Sequence, residues 1–308
     1  MRQKDLIIIG AGPAGLGAGI YAGYCGLKSL VLEENIPGGL AAEIPVLENY
    51  PGFDEGISGR NLIDKMVKQS KKYEIEIRQF EKVIRLNLEG KEKIVETDKS
   101  KYTAGYVVIA SGRHPGALGV PGEDKLRGRG VSYCAVCDSA FFKNRKVTVI
   151  GEGNHAAEVA LYLAESASSV VLIFLSPKIE AEGILIERME RKRIKVLTNM
   201  EVREIKGDIK VKSVVLSDRK TGGTKEIETD GVFCQLEEIP NSQLAKKAGI
   251  EINEKGYIIV DGKGRTNIDG VYAVGDVTSH SVKRIITAVC QATSAVNDIF
   301  EKRGDIQE

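Results

Sequence analysis

The apolar residues of this chain come as short unbroken runs, each closed by glycines. Leu6-Ile7-Ile8-Ile9 runs into Gly10-Ala11-Gly12-Pro13-Ala14-Gly15, and small residues then continue at helix-compatible spacing through Tyr21 to Tyr24. The same order recurs where Lys146-Val147-Thr148-Val149-Ile150 meets Gly151-Glu152-Gly153-Asn154-His155-Ala156, followed by a helical stretch from Ala157 to Leu163. Both passages predict strand, glycine turn, helix. Ser29-Leu30-Val31-Leu32 and Val170-Val171-Leu172-Ile173 supply the next strand after each. The pattern predicts an α/β protein with two Rossmann-like, three-layer ββα nucleotide-binding domains.

The first glycine turn has the chemistry of a dinucleotide site. Gly10 permits the tight turn, Gly12 lets the backbone approach a pyrophosphate, and Gly15 lets the helix pack on the strand. Pro13 and Ala14 open that helix, whose N-terminus favours phosphate charge. Glu33 ends the second strand about 20 residues past the glycines, where a carboxylate can accept hydrogen bonds from a ribose. A glycine triplet alone occurs often by chance, but here strand, helix and carboxylate all fall in place.

At 308 residues the chain is long enough for two cores, since single cores stop growing near ~250 to 300 residues. Lys+Arg 44 against Asp+Glu 43 leaves a net charge of +1, which provides no field for nucleic acid or a membrane surface. No apolar run approaches the ~20 residues that span a bilayer, and Met1-Arg2-Gln3-Lys4-Asp5 leads into the first strand without a signal-peptide pattern. A cytoplasmic location is expected. Of five cysteines, Cys25, Cys234 and Cys290 read as reduced, buried small hydrophobes.

The other two lie in Val131-Ser132-Tyr133-Cys134-Ala135-Val136-Cys137-Asp138. Two residues between cysteines on a helical turn let the sulfurs meet, and a helix N-terminus lowers a thiol pKa so that a thiolate can act. A zinc site would need a second such pair or paired histidines, whereas the remaining cysteines are isolated and only His114, His155 and His280 exist. No metal is expected, and Cys134 with Cys137 reads as a redox pair.

Further motifs follow in order: Pro37-Gly38-Gly39, Glu48-Asn49-Tyr50-Pro51-Gly52-Phe53, Val107-Val108-Ile109-Ala110-Ser111-Gly112 and Gly270-Val271-Tyr272-Ala273-Val274-Gly275-Asp276. With the glycine turn and the redox pair, this series resembles the low-molecular-weight thioredoxin reductases over nearly the whole chain. The resemblance implies FAD on Gly10, Gly12, Pro13, Ala14, Gly15, Glu33, Gly39, Asn49, Ala110, Gly112, Gly275 and Asp276. Asn49 would lie near the isoalloxazine, and Gly275 with Asp276 would hold the ribityl-phosphate end. Lys283, Arg284 and Ile285 occupy the place of the family's helix start at the flavin, with Arg284 where Gln is usual. It also implies a homodimer, a thioredoxin-like protein partner, and domains at 1–113 with 242–308 and at 114–241, the second inserted into the first. Cys137 would face the flavin, Cys134 would attack the partner's disulfide, and Asp138 would relay protons. The inserted domain would rotate about linkers near His114-Pro115-Gly116 and Asn241-Ser242.

One departure concerns the electron donor. The family's NADPH pattern places two arginines and then a third after the second domain's second strand, and these positions hold Leu175, Ser176 and Glu180. Hydrogen bonds to charge contribute roughly 1.5 to 3 kcal/mol each, so losing two or three weakens NADPH at least about a hundredfold. Glu237 and Glu238 add negative charge where the family usually carries a glycine-containing stretch. The sequence therefore argues against NADPH, with ferredoxin the first candidate donor; NADH or a weakly bound NADPH stays open, because the glycine turn Gly151 to Ala156 survives and Lys178 can recover part of the lost affinity. Two rival functions remain open at this point: a dithiol oxidase that discharges the flavin to oxygen, and a redox-sensing flavoprotein.

Overall fold

The computed structural model describes residues 2–304; residue 1 and residues 305–308, at the outer ends of the first expected domain, lie outside the described residues. The chain divides into two compact units, Met1–His114 with Ile239–Glu308, and Pro115–Glu238.

The first unit begins with β1 (Arg2–Ile9), α1 (Pro13–Tyr24), β2 (Ser29–Leu32), α2 (Gly59–Lys72), β3 (Glu76–Arg78), β4 (Val83–Asn87), β5 (Lys93–Thr97), β6 (Lys101–Ile109) and β7 (Arg113–His114). Its sheet runs β3-β2-β1-β6-β5-β4. The β1 run has no polar alternation because both of its faces are covered: Leu6 and Ile8 pack on the α1 side, while Ile7 and Ile9 enter a second core on the other. Parallel register sets Ile9 opposite Leu32 and also opposite Ile109, so the carboxyl ends of β1, β2 and β6 lie level.

The second unit holds α3 (Glu123–Leu126), β8 (Val131–Ser132), α4 (Ala135–Asp138), β9 (Lys146–Gly151), α5 (Gly153–Leu163), β10 (Ser169–Phe174), α6 (Gly183–Arg191), β11 (Lys195–Leu197), β12 (Met200–Gly207), β13 (Val211–Asp218), β14 (Thr224–Glu228) and β15 (Gly231–Gln235). A five-stranded parallel sheet in the order β11-β10-β9-β15-β8 carries α5 and α6, and the antiparallel β12-β13-β14 sheet forms a separate layer. This is the Rossmann plan read from the glycine turns.

The chain then returns to the first unit through β16 (Ile239–Pro240), α7 (Gln243–Lys247), β17 (Val271–Ala273) and α8 (Ile285–Gly304). β17 joins the sheet beside β6, with Ala273 opposite Ile109. The short β7–β16 pair, Ile239 opposite His114 and Pro240 opposite Arg113, draws His114 and residues 239–241 onto the first unit, whereas the sequence reading put them in the insert. Among the described residues no helix is long and apolar enough to cross a membrane.

The expectation of three buried thiols is corrected at two positions. Cys234 is buried, but Cys25 is half-buried and Cys290 is exposed. Cys290 lies on the face of α8 turned away from α1, whose Gly17 packs against Val289 and Ala292.

Candidate active site

The level strand ends in the first unit gather segments far apart in sequence. The glycine turn leaves β1, Glu33 follows β2, Ala110 to Gly112 follow β6, and Gly275 with Asp276 follow β17. In open α/β sheets ligands bind beyond the carboxyl ends of the strands. Gly38 adds to the group by donating its N–H to the Ala11 carbonyl at 2.9 Å, which brings Gly39 alongside.

The glycines separate into those that the protein needs and one that it does not. A Cβ on Gly10, whose φ is +101°, would stand 2.5 Å from the Ala110 carbonyl oxygen, and one on Gly15 would strike the Gly10 carbonyl at 1.8 Å. Gly275 is closed off by Ala14 in the same way, at 2.7 Å. A Cβ on Gly12 meets nothing closer than 3.9 Å. Internal packing therefore does not demand glycine at 12, but close approach of a pyrophosphate does. The first amides of α1 have no side-chain cap, so they remain available to an anion. Each oxygen of Glu33 accepts one backbone N–H, from Ala11 at 2.8 Å and from Asn35 at 2.9 Å. A carboxylate oxygen can accept twice, which leaves room for ribose hydroxyls. These features fit FAD.

Asp276 is oriented by an ion pair with Arg113 at 2.7 Å, a partner that the sequence reading missed because it lies 163 residues away. The Lys283 amine donates to the Thr278 carbonyl and sits 4.4 Å from the centre of the Tyr257 ring. Burial pushes the amine down to about 8, against the field of Asp276. Arg284 precedes α8 and Ile285 opens it. Asn49 is exposed on an open cleft of ≈ 580 Å³ lined by residues 48–54.

In the second unit Cys134 and Cys137 are joined as a disulfide. Cys134 caps α4, and its sulfur accepts the Cys137 N–H at 3.2 Å. Cys134 and Asp138 are half-buried and Cys137 is exposed.

The segment leading into the pair is tied down by side chains to which the sequence reading gave no role. Tyr133 donates its hydroxyl to Glu123 Oε1 at 2.6 Å. Glu123, only 3% exposed, also accepts the Leu118 and Gly119 amides at 2.9 and 2.7 Å. Burial, and then the bond to Glu123, push the Tyr133 hydroxyl up to about 12. The Tyr133 carbonyl accepts the Gln235 side-chain amide at 3.2 Å, while Ser132 Oγ both accepts the Cys134 N–H and donates to its carbonyl. No spacing rule could have found Gln235, which is 102 residues from Tyr133.

The second glycine turn is intact in outline, with Gly153 at φ +68° opening α5. Its surroundings are acidic. Glu152 stands at the N-cap of α5, the Glu180 carbonyl lies across from Gly153, and Asn154 and Glu182 exchange two hydrogen bonds of 2.8 Å. At the three arginine positions Leu175 packs against the core and Ser176 donates its hydroxyl to the Lys178 carbonyl at 2.7 Å, while Glu180 is exposed.

A family profile described as pyridine nucleotide-disulphide oxidoreductase matches residues 4–292. The thioredoxin reductase of Bacillus subtilis (strain 168) is 40% identical over 307 residues, covering 99% of this chain and 96% of that protein. The crystal structure of T. acidophilum thioredoxin reductase superposes with a TM-score of 0.95 at 37% identity, covering 98% of this chain and 99% of the other. A ferredoxin-flavin thioredoxin reductase from Clostridium acetobutylicum matches with a TM-score of 0.54 at 32% identity, covering 99% of both chains.

Proposed function

Because the chain belongs to the pyridine nucleotide-disulphide oxidoreductase family, as an FAD-dependent disulfide oxidoreductase of the low-molecular-weight thioredoxin reductase type, we propose that it reduces a thioredoxin-like protein with electrons from a donor other than NADPH. A ferredoxin-type one-electron carrier is the donor we favour. The observation that carries this reading is the loss of all three clamp arginines, replaced by Leu175, Ser176 and Glu180 with exposed Lys178 the one cation left in the segment, in a unit that keeps its redox disulfide. Acidic Glu152, Glu180 and Glu182 about the Gly153 turn oppose a dinucleotide further. The match to a ferredoxin-flavin thioredoxin reductase supports the choice of donor.

When bound and reduced by its donor, FAD would supply the two reducing equivalents that with two protons convert the Cys134–Cys137 disulfide to a dithiol, a one-electron carrier delivering twice for each disulfide. Gly12 and the uncapped α1 amides would hold the cofactor's pyrophosphate and Glu33 its ribose, with Gly39, Asn49, Ala110, Gly112, Gly275, Asp276, Lys283, Arg284 and Ile285 completing the site. Exposed Cys137 is the sulfur open to electron delivery. The α4 amide that now meets Cys134 Sγ favours a thiolate there once the pair is reduced. That thiolate attacks one sulfur of the partner disulfide and the other leaves as a thiolate. Cys137 then attacks Cys134 Sγ, which restores the internal disulfide and releases the partner's second sulfur. Two protons, relayed through Asp138, complete the partner dithiol.

The test is anaerobic bleaching of the purified flavoprotein by NADPH, NADH and reduced ferredoxin in turn. Fast bleaching by ferredoxin with slow or no response to NADPH is expected. Fast bleaching by NADPH at micromolar concentration overturns the donor assignment and leaves the disulfide chemistry standing.

A further inference from the structure

We propose that Phe80 is the platform on which the adenine ring of the cofactor stacks. The proposal rests on the FAD reading and deepens it by naming a residue that would distinguish FAD from FMN.

The sheet order fixes where the adenine must go. With the pyrophosphate at the β1 turn and the ribose at Glu33 after β2, the next strand outward is β3, about 4.8 Å further along the sheet. The end of β3 is laced to the end of β2: Glu33 donates its N–H to the Arg78 carbonyl at 2.8 Å, Glu81 donates to Glu33 at 2.9 Å, and Phe80 donates to Asn35 at 3.2 Å. Phe80 thus stands beside the ribose carboxylate, on the side where a base attached to that ribose arrives.

Two properties of Phe80 lack an explanation in the protein's own packing. Its backbone is left-handed at φ 55°, and the residue is 59% exposed. A bulky side chain in this region is a steric outlier, and strained backbone of this kind gathers at ligand sites. The other non-glycine residues with positive φ among the described residues are Glu74, Asn144, Arg193 and Asn199, all polar. Asparagine relieves such strain at the last turn position of many loops, and here an aromatic ring is presented to solvent instead. An exposed, flat π-face beside a ribose site is suited to a purine, because stacking needs no hydrogen-bond pairing.

The experiment uses the whole chain stripped of flavin and titrated separately with FAD, FMN and ADP, following flavin fluorescence and, for ADP, the shift in thermal midpoint. Phe80→Asn should weaken FAD about five- to 150-fold, the equivalent of ~1–3 kcal/mol of stacking, and abolish most of the ADP-induced shift. FMN affinity should stay within about twofold, since FMN has no adenine. The flavin-free Phe80→Asn protein should be at least as heat-stable as the parent, because asparagine tolerates this backbone, and Phe80→Tyr should retain FAD affinity. Parallel losses of FAD and FMN affinity together with a lowered thermal midpoint would show that Phe80 only supports its turn, and unchanged FAD affinity would remove the platform altogether. If the parent chain binds neither FAD nor ADP, it is the FAD reading that fails.

Discussion

Replacing Tyr133 by Phe removes one oxygen from the network in front of the redox pair. Glu123 then keeps two backbone donors, from Leu118 and Gly119, and loses the 2.6 Å hydroxyl. A hydrogen bond to a charged group contributes about 1.5–3 kcal/mol net, and at 3% exposure water cannot replace the missing donor. The ring itself stays in place, with the Arg127 guanidinium 4.6 Å from its centre. We therefore expect Tyr133→Phe to destabilise the second unit by ~2 kcal/mol, roughly a thirtyfold change in its opening equilibrium. Because Cys134 follows directly in the chain, looser anchoring should lower kcat for partner reduction about tenfold with little change in KM. The assay pairs urea unfolding with partner-disulfide reduction for Tyr133→Phe, Glu123→Gln and the double variant, and coupling of ~1–2 kcal/mol is expected. Coupling below about 0.5 kcal/mol, or a raised KM at constant kcat, would refute the reasoning.

Two further outcomes follow from charged groups in the first unit. Asp298, 2% exposed, accepts from Arg265 Nε at 2.7 Å, Lys263 at 2.8 Å and the Tyr272 hydroxyl at 2.9 Å. Breaking a buried pair costs about 3–5 kcal/mol, and because both cations here reach water we expect about 2–3 kcal/mol for Asp298→Asn in urea unfolding. The bond to Arg265 holds the Asp298 carboxyl well below the usual range. Its contribution is therefore present above the unfolded value of about 3.9 and lost as pH falls towards the folded one, so Asp298→Asn should flatten the stability curve below about pH 4. Lys283 runs the opposite way, its folded value lying near 8 against 10.5 for the free side chain. Between these two values the unfolded flavin-free chain holds the extra proton, so this group makes folding more favourable as pH rises through that window. Lys283→Met should lack that rise in a pH series of denaturation midpoints, and an unchanged series would exclude the depressed amine.

What the sequence determined by itself is what lies within one strand, one turn or one helix. Leu6-Ile7-Ile8-Ile9 with Gly10, Gly12 and Gly15 specified the first nucleotide fold, because the conformational demands of a tight turn and a close phosphate are met only by glycine at those spacings. Cys134 and Cys137 were legible for the same reason, since one helical turn brings their sulfurs together. The missing arginines at Leu175, Ser176 and Glu180 could be read because side-chain charge does not depend on the fold. The tertiary structure decided the partners that meet across the sequence. Arg113 finds Asp276, Gln235 finds the Tyr133 carbonyl, and Glu123 takes up the Tyr133 hydroxyl. It also decided burial, leaving Cys290 exposed on the outer face of α8 although its residue type usually lies inside. Phe80 is the clearest case: its letter says only that it is apolar. Its position beside Glu33 and its left-handed backbone exist only because β3 pairs with β2, and strand pairing is a long-range choice made by the whole sheet.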